Sequence, residues 1–208
     1  MYLEKTRYEN LQHGFFDGVG KYDIPQLTGS LRNTVPELIG FNSAKTVKDK
    51  RSKGVHFFLD DYQFTRLWNR PLDYLPLIKQ FDVVLSPDFS LYSDFPLAMQ
   101  IYNYYRKHWL AAFWEHNGIE VIPTIGWSDK RSFDWCFDGE PKESTVAVSA
   151  IGTQKDGETK EAFLLGFNEM KRRLNPKTIV FYGNIPKECV GENVISVSSF
   201  QDELRNRI

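Results

Sequence analysis

Short apolar runs separated by helix-length segments recur along the chain from about residue 37 onward. Runs such as Val83–Leu85 and Thr178–Tyr182 are continuous, as is typical of strands that are covered on both faces of a sheet. Their alternation with helical segments favours a βα succession and a mostly parallel sheet. The predicted strands are Glu37–Phe41, Val55–Asp60, Val83–Leu85, Val121–Ile125, Val146–Ala150, Thr178–Tyr182 and Asn193–Val197.

Two of the intervening segments show clear helical spacing of their apolar residues. The first begins near Pro96, with Ser93 or Asp94 as its predicted cap, and ends before Gly118. The second spans about residues 159–174 and stops at an Asn-Pro pair. Weaker patterns predict helices at 71–80, 131–137 and 198–207.

This succession of strands and helices predicts an α/β fold with a small or incomplete βα barrel, and a doubly wound open sheet is the alternative. Neither a repeat, a low-complexity tract nor a flexible linker divides the chain, so we expect a single βα domain over residues 37–208. Residues 1–36 lack the same alternation and are predicted to form an irregular N-terminal segment.

Parallel sheets place ligands at the carboxyl ends of their strands, and three acidic residues occupy such positions here. Asp60 and Asp61 end or follow one predicted strand, and Asp88 lies shortly after Leu85. A carboxylate there can act as a general base, a nucleophile or a ligand of a divalent metal. We therefore predict catalytic roles for Asp60, Asp61 and Asp88, with helix caps, turns and solvated side chains as the structural alternatives.

Other polar and aromatic residues near the same strand ends are candidates for ligand contact. Asn103 and Arg106 are three positions apart on the long helix and share one side of it, which is either a pocket wall or a solvated face. Trp127 offers a stacking surface for a base or sugar ring, although core packing explains most aromatic residues in this chain. The predicted ligand-binding residues are Ser90, Tyr92, Asn103, Arg106, Trp127, Ser128 and Ser149.

Composition excludes several classes of protein. The 26 basic and 27 acidic residues give a net charge of −1, which argues against binding polyanions by bulk charge. Two cysteines without a metal-ligand spacing favour a reduced, cytoplasmic protein, and no apolar run is long enough to predict a membrane span. Phosphate-binding loops and nucleophile-elbow motifs are absent from the sequence, which identifies no cofactor and leaves a divalent cation open.

Five segments carry a resemblance to a known family, and they read FFLDDYQFTRLWNRP, LSPDFSLYSDFPLAMQIYNYYR, IPTIGWSDKRSFDWCFDG, STVAVSAIG and VFYG. Together they resemble a family catalogued as a domain of unknown function, with members in Gram-positive bacteria, their phages and other mobile elements. The resemblance covers roughly residues 36–184, and the block from PDFS to YR is its most specific part. It implies a phage or mobile-element setting and a common site formed by these segments, and it implies no catalytic assignment.

The pattern as a whole favours an enzyme with a carboxylate-lined pocket that acts on a nucleotide, a nucleic acid or a glycosidic bond. One alternative is a nucleic-acid or nucleotide binding module for phage or plasmid replication, with a basic face formed by Arg66, Arg106 and the cations of residues 45–53. Another is a protein-interaction factor that inhibits a host enzyme. The sequence indicates no oligomeric state.

Overall fold

The computed structural model describes residues 14–152 and 157–199. The strands in these residues are β1 (Gly18–Val19), β2 (Ile24–Pro25), β3 (Glu37–Gly40), β4 (Lys53–His56), β5 (Val83–Leu85), β6 (Val121–Ile122), β7 (Thr145–Ser149), β8 (Thr178–Tyr182) and β9 (Val194–Val197). The α-helices are α1 (Thr65–Asn69), α2 (Pro71–Ile78), α3 (Leu97–His116) and α4 (Gly157–Leu174). Single 3₁₀ turns span Phe41–Ser43, Lys50–Ser52, Asp61–Gln63, Lys130–Asp134 and Lys187–Cys189.

Two parallel sheets form the centre of the fold. One contains β3, β4, β5 and β6, the other contains β7, β8 and β9, and an isolated parallel bridge from Thr124 to Ala147 connects the chain after β6 to β7. The strands therefore follow one another in sequence order, without the reversal that defines a doubly wound sheet. The predicted α/β class with mostly parallel strands is confirmed. Within the described residues β3 and β9 do not pair, so no closed barrel forms.

The strands curve around an apolar interior. Phe58, two residues after β4, stacks on Tyr182 at the end of β8 with ring centroids 4.7 Å apart, although the two strands belong to different sheets. A cluster of buried side chains from both sheets, which includes Leu85, Ile122 and Val180, lies in this interior. Because alternate residues of a strand point to opposite faces, the remaining strand residues pack outward against the helices. Separate outer clusters involve α1–α3 on one side and α4 on the other.

The ends of α3 differ from each other in how well the sequence predicts them. The helix begins after Pro96, and neither Ser93 nor Asp94 caps it, because both side chains precede the capping position and are exposed. The predicted cap is therefore wrong. At the other end Gly118 has a φ of +76°, a left-handed conformation that glycine adopts without strain, and here the helix stops as predicted.

The remaining elements agree with the prediction in position more than in length. Strand β4 begins two residues and ends four residues earlier than expected, and the chain turns after it where the Leu59 N–H donates to the Phe57 carbonyl at 2.7 Å. The helix expected over 131–137 is a 3₁₀ turn, and the short helix α1 was not predicted. The helix predicted at 198–207 lies almost wholly outside the described residues. None of the helices in the described parts of the chain combines the length and apolarity that crossing a bilayer requires.

The N-terminal segment crosses α3 before the first parallel strand. Strands β1 and β2 form an antiparallel pair, and Ile24 and Leu27 bury their side chains. The Leu27 N–H donates to the carbonyl of Gly139 at 2.9 Å. Gly139 has a φ of +77°, and a side chain there would meet both the Pro25 carbonyl and the ring of His108, so the close approach of these three segments requires glycine.

Candidate functional site

Asp88 is an acidic residue that the fold places at the carboxyl edge of the parallel sheet. It follows β5 by three positions and is half-buried. Its Oδ1 lies 3.8 Å from the position that a Cβ atom would take at Gly126, so the carboxyl group faces the backbone of the chain after β6. No described residue hydrogen-bonds to it.

The surroundings of Asp88 favour its protonated form. Burial raises the pKa of Asp88 to about 7, because removing the carboxylate from water disfavours its charge. The positive charge of Lys107 opposes this effect, and the negative charge of Asp61 adds to it. A carboxyl group with such a pKa is both protonated and ionised in comparable amounts near neutral pH, which is the condition for proton transfer in either direction.

A hydrogen-bonded tether holds the loop that carries Asp88. The carboxylate of Asp61 accepts hydrogen bonds from the Ser90 backbone N–H at 3.2 Å and from its hydroxyl at 2.9 Å. On the other side, the Asn103 amide of α3 donates to the Ser90 carbonyl at 2.7 Å. Arg106 donates to the Asn103 side-chain oxygen at 2.6 Å. Four of the predicted site residues therefore fix the backbone two positions beyond Asp88.

Arg106 completes this tether by stacking. Its guanidinium carbon lies 3.9 Å from the centre of the Phe89 ring and 4.9 Å from that of Tyr102. Burial lowers the pKa of Arg106, and its Nε has no hydrogen-bond partner among the described residues. Arg106 thus braces Phe89, the residue directly after Asp88.

A second charged cluster lies next to Asp88 and was not predicted. The ammonium group of Lys107 is buried and donates to the Thr124 carbonyl at 2.6 Å and to Oε1 of Glu140 at 2.5 Å. The same oxygen lies 3.1 Å from Nε2 of His108 and accepts from the Tyr104 hydroxyl at 3.3 Å. Lys107 is therefore held in place by Glu140 while its charge acts on Asp88.

Glu140 is ionised despite complete burial of its side chain. Burial raises the pKa of Glu140, but the charges and hydrogen bonds of Lys107 and His108 outweigh that effect, so the pKa lies below its ordinary value. Its second oxygen, Oε2, is buried without a hydrogen-bond partner among the described residues. The cluster is thus a buried ion pair with one incompletely satisfied member.

Four further predicted residues lie apart from the Asp88 loop or point away from it. Asp60 is exposed, and its backbone carbonyl accepts from the Gln63 N–H at 2.9 Å. Tyr92 is 60% exposed and contacts the ring of Phe95 edge-on. Trp127 packs outward against α4, where its indole lies so close to Gly166 that a methyl group there would overlap it. Ser149, at the end of β7, accepts a hydrogen bond from the Ile151 N–H at 3.2 Å.

Ser128 belongs to a different part of the same edge. Its hydroxyl donates to Oε1 of Gln100 at 2.7 Å, and both residues line a cleft of about 360 Å³. This cleft opens between the N-terminal hairpin, the beginning of α3 and residues 128–135. The structure therefore places some of the predicted site residues at the Asp88 loop, Ser128 in this cleft, and the other four outside both.

His56, at the end of β4, is a buried histidine inside the curved sheet. Its Nδ1 accepts from the Phe58 N–H at 3.2 Å, and its ring lies 4.5 Å from that of Tyr182. Burial lowers the pKa of His56 to about 4, so the ring is neutral at physiological pH. We interpret it as a packing residue of the interior.

The described residues contain no group of three or more His, Cys, Asp or Glu side chains arranged to hold a metal ion. In that part of the chain, Asp61 is the carboxylate whose charge acts on Asp88.

Sequence reasoning missed Lys107, His108 and Glu140 because their partners are distant along the chain. A signal for Lys107 exists in the helix itself: Lys107 is seven positions from Gln100 and shares its side of α3, and both residues are buried. A lysine on the face that packs against a sheet requires a buried acceptor. The acceptor itself, 33 positions later, has no local pattern that reveals it.

The fold and the site together define an α/β protein with parallel sheets and, at their carboxyl edge, an aspartic acid whose pKa is raised to about 7. A family model for a domain of unknown function, DUF4417, matches residues 16–201, so the chain belongs to that family. The Gene 1 protein of Mycobacterium phage L5 is 38% identical over 173 residues, which cover 82% of this chain and 75% of the relative. The Gene 1 protein of Mycobacterium phage D29 is 38% identical over 188 residues, covering 89% and 68%. No solved structure matches the chain.

These matches confirm the resemblance to a family of unknown function with phage relatives. The wider distribution among Gram-positive bacteria and the motif that was predicted to mark the family stay predictions.

Proposed function

We propose that this protein is an enzyme in which Asp88 transfers a proton during hydrolysis or group transfer at a nucleotide, nucleic acid or glycosidic bond. The observation that carries the proposal is the Asp88 carboxyl group, which has no hydrogen-bond partner among the described residues, faces the carboxyl edge of a parallel sheet and has a pKa raised to about 7. Ligands of parallel α/β proteins bind at this edge.

The chemistry follows from the two protonation states of Asp88. In its protonated form the group can donate its proton to the leaving oxygen of a phosphate ester or a glycosidic bond. In its ionised form it can accept a proton from the attacking water or hydroxyl group. A pKa close to the working pH maximises the product of correct protonation and driving force for such a transfer.

The two neighbouring carboxyl groups, Asp61 and Asp88, have different environments. Asp61 is engaged by the N–H and hydroxyl of Ser90, whereas no described residue engages Asp88, and the charge of Asp61 raises the pKa of Asp88. Pairs of acidic residues whose environments differ in this way are a recurring basis for acid–base catalysis. Lys107 limits the rise and stays in place through Glu140.

The test is a turnover assay over a panel of nucleoside mono-, di- and triphosphates, single- and double-stranded oligonucleotides and aryl glycosides, each with and without Mg²⁺. We expect wild-type turnover of one class, with an ionisation near pH 7 in kcat/KM. Asp88→Asn keeps the shape of the side chain and removes the titration, so we expect kcat to fall by about 10²–10⁴-fold.

Asp49→Asn is the matched control. Asp49 precedes β4, at the opposite edge of the sheet, and its left-handed backbone conformation suits asparagine. We expect this variant to retain wild-type turnover. The proposal fails if the wild type turns over no member of the panel, or if Asp88→Asn turns over the substrate as fast as the wild type.

The nucleic-acid binding alternative has less support. Arg106 stacks on Phe89 beneath the loop, and Arg66 donates to the Gln63 carbonyl at 2.8 Å. Residues 45–52 precede β4 and Lys53 begins it, so these residues lie at the amino edge of the sheet, away from Asp88. These cations therefore do not favour one continuous basic face.

A further inference from the structure

The cleft that contains Ser128 has the dimensions and lining of a small-molecule site. Its volume of about 360 Å³ falls in the range of ligand pockets, roughly 300–1,000 Å³. Three of its lining residues, Gln100, Ser132 and Trp135, are buried, and Ser128 is half-buried. The cleft is thus a concave, partly polar space rather than a flat surface.

Trp135 supplies the observation that points to a ligand. This residue is 3% exposed, and its indole Nε1–H has no hydrogen-bond partner among the described residues. Leaving a buried donor unpaired costs about 1–3 kcal/mol, and tryptophan N–H groups usually find a partner when they are buried. The Nε1 atom is itself closed to solvent, so a ligand acceptor in the cleft that Trp135 lines removes this cost only if neighbouring side chains shift as it binds.

The polar groups beside Trp135 still have capacity to accept hydrogen bonds. Oε1 of Gln100 accepts one hydrogen bond, from Ser128, and the amide nitrogen of Gln100 donates to the Phe95 carbonyl at 2.8 Å. A carboxamide oxygen has two lone pairs, and a hydroxyl that donates once can still accept. The cleft therefore offers one unpaired donor and two acceptors close to one another.

Aromatic and charged side chains complete the lining. The rings of Tyr22 and Phe95 are half-buried in the walls, and the ammonium group of Lys21 is exposed at the opening. Arg131, which also lines the cleft, is already paired with Asp129 at 2.6 Å. Among the described lining residues, Lys21 therefore carries the positive charge that is outside an ion pair; its ammonium group lies 5.5 Å from the centre of the Tyr22 ring, and the carboxylate of Asp134 also lines the cleft.

We propose that this cleft binds the base of a nucleoside or nucleotide. A heterocyclic base presents donors and acceptors along one edge and an aromatic face on each side, which matches a polar floor between aromatic walls. A ring nitrogen or carbonyl oxygen of the base accepts from Trp135, a base N–H group donates to Gln100 or Ser128, and a phosphate lies near Lys21.

The assignment deepens the proposed function and rests on it only in treating the bound molecule as the substrate. Gln100 of the cleft and Lys107 beside Asp88 are seven residues apart on the same side of α3, which is about two helical turns. The cleft and the edge where Asp88 lies are therefore about two turns of α3 apart.

The test is a titration of the ¹⁵N-labelled full chain, followed through the indole N–H signals of its tryptophans. The probes are adenosine, guanosine, cytidine and uridine monophosphate, with ribose 5-phosphate and glucose as controls without a base. We expect at least one nucleotide to shift the Trp135 signal saturably and neither control to do so. Trp127, which packs against α4 outside the cleft, provides an internal reference whose signal stays in place.

The proposal is overturned if no nucleotide shifts the Trp135 signal, or if ribose 5-phosphate shifts it equally. A shift produced by glucose alone would overturn it too and would assign the cleft to a sugar.

Two variants locate the contacts by calorimetry. We expect Trp135→Phe to weaken nucleotide binding at least tenfold, since it removes the donor, and Ser128→Ala to weaken it severalfold without removing core volume. The proposed contacts would be contradicted if both single variants, Ser128→Ala and Trp135→Phe, bound nucleotide as tightly as the wild type.

Asp88→Asn separates this inference from the proposed function. We expect this variant to bind nucleotide like the wild type and to lose turnover. Binding without turnover in the wild type would refute the enzyme and preserve the base site, whereas turnover without a Trp135 shift would do the reverse.

Discussion

Glu140 and Asp88 are two buried or half-buried carboxyl groups that both experience the charge of Lys107, yet their acidities move in opposite directions. Lys107 and His108 engage Glu140 directly, and its pKa lies below its ordinary value. Asp88 receives no hydrogen bond from the described residues, and burial raises its pKa to about 7. The difference shows that direct hydrogen bonding to cations, and not burial, separates a structural carboxylate from one that can exchange a proton.

The largest expected effect comes from removing the carboxylate of Glu140, the structural one of the two carboxyl groups. Glu140→Ala leaves the Thr124 carbonyl as the remaining hydrogen-bond acceptor of buried Lys107 among the described residues, and a buried charge that loses its ion-pair partner costs about 3–5 kcal/mol. We expect urea denaturation to show a loss of that size in the free energy of unfolding. Glu169→Ala is the control, because Glu169 pairs with Arg172 and Arg173 on the outer surface of α4. Equal losses in the two variants would contradict the structural role of Glu140.

Asp88→Asn is expected to change stability in the opposite direction. The folded protein keeps Asp88 protonated up to about pH 7, whereas the unfolded chain ionises near 3.8, so folding binds a proton between these values. The stability contributed by the neutral group is therefore complete below pH 3.8 and is lost as pH rises through 7.

Asparagine removes this dependence on pH. We expect Asp88→Asn to be more stable than the wild type at pH 8 by about 2–4 kcal/mol and to approach it near pH 4. Denaturation curves between pH 4 and 8.5 measure the difference. A constant offset across that range would show that Asp88 does not titrate as described.

Lys107→Gln tests whether one lysine serves both carboxyl groups. Glutamine can still donate to the Thr124 carbonyl and to Glu140, but it carries no charge. Because the charge of Lys107 lowers the pKa of Asp88, its removal should raise that pKa above 7, by about one unit. Titration of the Asp88 side-chain ¹³C signal measures it. An unchanged or lower pKa of Asp88 would show that the charge of Lys107 acts on Glu140 and not on Asp88.

The sequence predicts the sheet better than the site. Strands such as Val83–Leu85 and Thr178–Tyr182 are recognisable because an uninterrupted apolar run has few alternatives to a covered strand, and both have the predicted limits. The position of Asp88 at a strand end follows from the same pattern. The absence of hydrogen bonds to Asp88 from the described residues does not follow from that pattern. It depends on which polar groups the neighbouring loops bring close to the carboxyl group.

Long-range contacts explain the other differences. Glu140 reaches Lys107 across 33 residues, and Trp127 packs against Gly166 of a helix that begins 30 positions later. Local spacing found the start of α3 near Pro96 but assigned its cap to Ser93 or Asp94, which lie in the preceding turn. Sequence patterns therefore indicate which edge of the sheet carries the site, and tertiary contacts decide which side chains act there.

Asp61→Asn is expected to have the smallest effect and the opposite sign to Lys107→Gln. The side-chain oxygen of the introduced asparagine can still accept from the Ser90 N–H and hydroxyl, so the loop that carries Asp88 keeps its tether. Only the negative charge is lost, and because that charge raises the pKa of Asp88, the pKa should fall below 7 by less than about one unit. The same ¹³C titration measures the change. A rise, or a fall larger than the rise in Lys107→Gln, would mean that Asp61 acts on Asp88 through the loop geometry and not through its charge.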